Sequence, residues 1–190
     1  MKEGLPNNIE AEKALLGSLF WSHEALQKAC EELSRDVFYL DSNGKIFDAI
    51  QTLYNKKETV NVNALTTELV NRNWLNEVGG VTYINEIINS VATGANIEYY
   101  INTVLDKYTL RRMIEVATNI VKVASDNEAS ASIVTENAEK DILNVAKTRK
   151  TSAFRSVQDV LIKAQEDLDT LAKNKGRVTG LTTGLIDLDN

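Results

Sequence analysis

Asn96-Ile97-Glu98-Tyr99-Tyr100-Ile101-Asn102-Thr103-Val104-Leu105-Asp106-Lys107-Tyr108-Thr109-Leu110-Arg111-Arg112-Met113-Ile114-Glu115-Val116-Ala117-Thr118-Asn119-Ile120-Val121-Lys122-Val123-Ala124-Ser125-Asp126 is the stretch whose reading decides the fold. It contains neither Gly nor Pro, and Ile97, Tyr100, Ile101, Val104, Leu105, Tyr108, Leu110, Ile114, Ala117, Ile120, Val121 and Ala124 recur at three- and four-residue steps. Some thirty helical residues would reach roughly 45 Å, longer than the core of a small domain requires. A second helical pattern runs from about Ser130 to Thr148, with Ile133, Val134, Ala138, Ile142, Val145 and Ala146 on one side. The connection Ser125-Asp126-Asn127-Glu128 is short and polar, so the two helices are expected to return antiparallel as a hairpin. A hairpin cannot cover both apolar stripes alone. What remains must meet the residues before Asn96, another copy of the chain, or a partner protein.

Working toward the N-terminus, residues 1–95 read as five short amphipathic helices forming a small orthogonal bundle. Pro6 and Asn7 open the first, with Asn7 as cap and Glu10 three residues on. Ile9, Leu15, Leu16, Leu19 and Phe20 form its core face. Ser22 caps a second helix that turns Leu26, Ala29, Cys30 and Leu33 inward. Val37 to Leu40 read as irregular but packed. A third helix from Ser42 carries Ile46, Phe47, Ile50, Leu53 and Tyr54. Asn63 is the expected cap of the fourth, with Leu65, Leu69 and Val70 inward and Trp74 at its exit. Gly79-Gly80 breaks the chain before a fifth helix holding Tyr83, Ile84, Ile87, Ile88 and Val91.

Toward the C-terminus, residues 149–155 have the polar, basic composition of a linker, with Arg149, Lys150 and Arg155. Residues 156–175 then form one more helix, opened by Ser156, whose apolar stripe is Val157, Val160, Leu161, Ala164, Leu168 and Leu171. A lone amphipathic helix beyond a linker has no core of its own. It is read as a docking helix for another body, with packing on its own hairpin as the alternative. Residues 176–190 are apolar-rich and finish without a cap or strand partner, and the natural protein is expected to continue.

Composition narrows the function. One proline and nine glycines in 190 residues suit helix nearly throughout, and 43% apolar residues suffice for a real core. A net charge of −6 argues against a domain whose main task is gripping nucleic-acid backbone. The single cysteine, Cys30, excludes an internal disulfide and makes the cytoplasm the natural compartment. No apolar run approaches the ~20 residues of a membrane span, so no membrane partner is expected.

Catalytic chemistry is missing from the sequence. A phosphate-cradling loop needs clustered glycines and a Lys followed by Ser or Thr, and Gly176 to Gly184 offers the glycines without the Lys. His23 has no second His or Cys at ligand spacing. Glu10, Glu12, Glu31 and Glu32 read as capping or solvated carboxylates. Arg111 and Arg112 could reach phosphate or an acidic partner, but Glu115 lies four residues beyond Arg111 and offers an intrahelical pair. No catalytic residue, cofactor site or metal site is assigned.

Leu5-Pro6-Asn7-Asn8-Ile9-Glu10-Ala11-Glu12-Lys13-Ala14-Leu15-Leu16-Gly17 resembles the opening of replicative hexameric DNA helicases of the DnaB type. Asp36-Val37-Phe38-Tyr39, Lys45-Ile46-Phe47-Asp48-Ala49-Ile50, Glu77-Val78-Gly79-Gly80-Val81-Thr82-Tyr83-Ile84, Ala95-Asn96-Ile97-Glu98-Tyr99-Tyr100, Leu110-Arg111-Arg112 and the closing Val178-Thr179-Gly180 and Leu185-Ile186-Asp187-Leu188-Asp189 continue the resemblance in order. Ser42-Asn43-Gly44 departs from it where the family often carries a histidine. The family's RecA-type motor, with its phosphate loop, is expected after Asn190.

The resemblance implies an all-α N-terminal domain of bundle plus hairpin, followed by a linker helix that packs on a neighbour's motor. It implies a homo-oligomer (dimer, trimer of dimers or hexamer), with primase and a helicase loader as partners. ATP, Mg and DNA would be handled by the motor, not by these residues. Ile114, Ile120, Val121, Ile142 and Val145 are the expected self-association surface, and Glu12 and Tyr83 the candidate primase contacts. The rival reading is a helical nucleic-acid-binding module using Arg111, Arg112, Arg149, Lys150 and Arg155.

Overall fold

A computed structural model describes residues 4–91, 93, 96–125 and 130–151, without the side chains of residues 148–151. The expected linker, docking helix and closing segment lie outside the described residues. The described residues are helical, with no strand among them. The elements are α1 (Ile9–Trp21), α2 (His23–Glu32), a 3₁₀ turn (Arg35–Val37), α3 (Asp41–Asn55), α4 (Val62–Asn71), α5 (Gly80–Asn89), α6 (Ile97–Ala124) and α7 (Ala131–Thr151).

The starts of α1, α2 and α4 follow side chains that satisfy free backbone N–H groups. Ser22 Oγ accepts from the Ala25 amide at 3.2 Å, as the sequence predicts. Two expected caps are displaced. Asn8, not Asn7, caps α1 by accepting from the Ala11 amide at 3.0 Å, while Asn7 bonds back to the Leu5 carbonyl. Asn61, not Asn63, caps α4 through the Ala64 amide at 2.9 Å. In each case two asparagines lie close together, and the one three positions before the bonded amide takes the role. Gly79 begins α5 with φ +95°, a conformation that favours glycine.

The core of the bundle is built from Leu15, Leu16, Leu19, Ala29, Ile46, Phe47, Ile50, Leu53, Leu65, Leu69, Ile84 and Ile87, each 2% exposed or less. Val70, expected inward, is 51% exposed, because Leu65 and Leu69 already define the inner side of α4. Gly17 lets α1 and α5 meet closely: a Cβ there would stand 2.4 Å from the Ile87 carbonyl oxygen.

The start of α6 belongs to this core through Ile97, Ile101 and Val104. Its later turns pack on α7. Bundle and hairpin fall in one compact unit, Met1–Ser152.

Candidate interaction surfaces

Three faces of α6 have three different fates, and helical period explains them. Ile97, Ile101, Val104, Tyr108 and Arg111, spaced by four and three residues, face the bundle. Val116 is buried and lines a groove shared with Val145 of α7, while Ile120 lines the next groove with Val134 and Ala138. The third face carries Leu110, Met113, Ile114 and Val121, which are 49%, 38%, 41% and 65% exposed. Single exposed apolar residues are ordinary on a protein surface, but Leu110, Ile114 and Val121 recur at steps of four and seven and so form one stripe.

Along α7, Val134, Ala138, Asp141 and Val145 keep the same kind of spacing and turn toward α6. Ile133 and Ile142 flank that row on opposite sides, and both are exposed, as is Leu143. Of the five residues expected to provide self-association surface, Ile114, Val121 and Ile142 are open to solvent. Ile120 is half-buried and Val145 is buried. Val145 is therefore corrected from outer surface to hairpin interior, because α6 already covers it.

A buried polar centre lies where the bundle meets α6. Glu12 is 1% exposed. Its carboxylate accepts from the Tyr39 amide at 2.6 Å and from Asn43 Nδ2 at 2.8 Å. The Leu40 amide, 3.5 Å away, adds a weaker donor. Asn43 in turn accepts from the Tyr83 hydroxyl at 2.8 Å. These donors precede or open α3, whose own N-cap Leu40 has no side chain able to cap, so Glu12 serves the α3 start from α1. Burial raises the Glu12 pKa above its ordinary value, opposed by the Asn43, Tyr39 and Leu40 hydrogen bonds and by the charge of Arg111. The expected solvated Glu12 is thus a core residue, and as a direct partner contact it is corrected too. Tyr83, expected beside it, is half-buried, with its hydroxyl engaged by Asn43 and the Lys13 ammonium 5.4 Å from its ring centroid.

Arg111 also differs from its intrahelical expectation. Its Nη1 donates to the Pro6 carbonyl at 2.9 Å and its Nη2 to the Val37 carbonyl at 2.5 Å. Glu115 pairs with Arg112 instead, three residues away. Its guanidinium thus ties two backbone carbonyls of the bundle to α6. Arg149, Lys150 and Arg155 lie outside the described side chains. No sequence signal marked Arg111 as buried: both of its carbonyl partners lie on distant segments.

Among the described residues no group of three His, Cys, Asp or Glu is placed to hold a metal ion, and no helix is long and apolar enough to cross a membrane. The fold and its surfaces define an all-α domain in which a compact bundle carries a helical hairpin with one apolar face uncovered.

The chain belongs to the family described as the DnaB-like helicase N terminal domain, whose model matches residues 4–106. It is 42% identical over 184 residues to the replicative DNA helicase DnaC of Bacillus subtilis (strain 168), a match covering 97% of this chain and 40% of that one. Against the replicative DNA helicase DnaB of Geobacillus stearothermophilus the identity is 35% with the same coverage. The chain therefore spans about 40% of the length of these curated relatives. The crystal structure of the N-terminal domain of DnaB helicase from Mycobacterium tuberculosis is similar with a TM-score of 0.69 and 30% identity, covering 74% of this chain and 99% of that one. A DnaB-like replicative helicase solved in a study of its interactions with primase shares the fold at a TM-score of 0.58 and 21% identity, covering 95% of this chain and 40% of that one.

Proposed function

We propose that this chain is the assembly and partner-binding domain of a replicative DNA helicase. It joins copies of the protein through the hairpin and presents the bundle to primase, with a helicase loader as a further partner. The uncovered stripe Leu110, Ile114 and Val121 on α6 carries this reading, because a surface of that composition and spacing is stabilised by a partner that removes it from water. The family membership supports it. ATP hydrolysis with Mg, translocation on DNA and duplex unwinding belong on this reading to the rest of the helicase, which acts in the cytoplasm.

The helix expected over residues 156–175 would dock on the neighbouring subunit's motor through Val157, Val160, Leu161, Ala164, Leu168 and Leu171. Its narrow apolar stripe next to a basic linker supports that role.

The test is the mass of the chain in solution, by light scattering across a concentration series, for the parent sequence and for Ile114→Glu with Val121→Glu. Oligomers in the parent that fall to monomers in the double variant, with helicity retained, are the expected result. Equal mass for both would remove the hairpin stripe from assembly.

A further inference from the structure

One side chain holds α6 at the point where it leaves the bundle. Ile97, Ile101 and Val104 anchor the first turns in the core, Tyr108 packs against its edge, and among the described residues Arg111 is the last of α6 in chain order bonded to the bundle. After it, Val116 and Ile120 turn to α7. The two carbonyls that Arg111 holds come from separate segments, one ahead of α1 and the other in the 3₁₀ turn ahead of α3. The rings of Tyr39 and Tyr108 lie 5.7 and 5.8 Å from the guanidinium carbon, at cation–π range. Glu12, bonded to the Tyr39 amide, is buried in the same polar centre.

Beside this clasp a cleft of about 730 Å³ separates Leu5, Asp36 and Phe38 from Ile114, Thr118 and Lys122 of α6. That side of α6 therefore has open space where packing would otherwise limit its swing. On that open side, tilt of α6 away from the segments before α1 and α3 is resisted by the two Arg111 hydrogen bonds rather than by packing.

We infer that the Arg111 clasp sets the direction in which the hairpin leaves the bundle, with Arg111 as a positioning residue. The planar guanidinium suits the task because two donors in a fixed fork bond two segments at once; an ammonium cannot keep that geometry. Direction matters to any surface on the hairpin, since the stripe from Leu110 to Val121 points wherever α6 points.

The measurement is the distance between spin labels at Thr67→Cys on α4 and Glu136→Cys on α7, in the full chain carrying Cys30→Ser. Both labelled positions are exposed. Labelled chain is diluted into excess unlabelled chain so that only distances within one copy are read. This separates the result from the self-association reading, which the mass measurement tests by itself.

Arg111→Met keeps an apolar stem and removes both hydrogen bonds. The expected result is a shifted and broadened distance distribution with unchanged far-UV dichroism, and an Arg112→Met control that matches the parent. An unchanged distribution in Arg111→Met, or an equal change in Arg112→Met, overturns the inference. Should Arg111→Met unfold the bundle, Arg111→Lys, which can keep one of the two bonds, is read by the same criteria; unfolding there too would make Arg111 a stability residue and overturn its positioning role.

Discussion

Asn43 Nδ2 lies 2.8 Å from Glu12 Oε2, so a neutral amide on α3 holds a carboxylate of α1 inside the bundle. The same Asn43 accepts from Tyr83 of α5, and the three side chains join three helices in one hydrogen-bonded chain. Such networks are strong when complete and costly when one member is removed.

Glu12→Ala leaves the Tyr39 amide and the Asn43 side chain without their acceptor. The expected loss is about 2–4 kcal/mol of unfolding free energy, read by urea denaturation. A loss no larger than that of an exposed control such as Glu139→Ala would contradict the core role given to Glu12.

The sign of the Glu12 pKa shift predicts a pH dependence. The folded state raises that pKa above 4.5, chiefly by burial, so the folded chain takes up this proton before the unfolded chain does as pH falls. The stability that Glu12 draws from this uptake is fully present below the unfolded value and is lost as pH rises through the folded one. Relative to Glu12→Gln, which cannot titrate, the parent should therefore lose stability as pH rises from 4.5 toward neutrality. A parallel pair of stability curves across that window counts against it.

Gly17→Ala places a methyl group 2.4 Å from the Ile87 carbonyl oxygen and 2.9 Å from Val91 Cγ2. Backbone cannot rotate aside as a side chain can, so α1 and α5 must separate. The expected cost is about 1–3 kcal/mol, seen as a lower denaturation midpoint. A stabilised variant, as substitution of an unconstrained helical glycine would give, would show that the helices do not approach this closely.

Burial, with a smaller contribution from Glu31, pushes the Cys30 thiol from 9.0 up to about 11. At pH 8 its thiolate fraction should be roughly 100-fold below that of an ordinary cysteine, and its labelling by a thiol reagent correspondingly slow until the chain unfolds. Rapid labelling of the folded chain would place Cys30 in a more open or more cationic setting.

In the intact helicase, Leu161→Asp or Leu168→Asp should reduce the proportion of hexamers while leaving the bundle's helicity unchanged. Sizing chromatography with light scattering reads both. Hexamers undiminished by either change would end the docking role proposed for that helix.

Much of the fold can be read from residue spacing, because an amphipathic helix is a local pattern. The unbroken run after Asn96, the Gly79-Gly80 break and the Ser22 cap each depend on neighbours within about four residues, and each appears in the structure within a residue or so. Where two asparagines compete, as at Asn7 and Asn8 or Asn61 and Asn63, composition does not separate them. The residue at which the helix starts does.

The candidate site was less legible. Periodicity along α6 gathers Leu110, Ala117 and Val121 with residues of the core, yet Leu110 and Val121 are exposed while Val116, outside that series, is buried. A long helix with apolar residues on three sides does not announce which side meets which neighbour.

The sequence by itself determined that the described residues are helical, that their longest helices form a hairpin, and that they carry more apolar surface than a small bundle can hide. Those follow from the period of the apolar residues and the places where glycine, serine and asparagine interrupt it. Only the tertiary structure decided that Glu12 and Arg111 are interior groups. Glu12 meets Tyr39 across 27 positions, and Arg111 meets Val37 and Pro6 across 74 and 105. The environment of a charge is made by whatever the fold brings to it, and no local pattern carries that information.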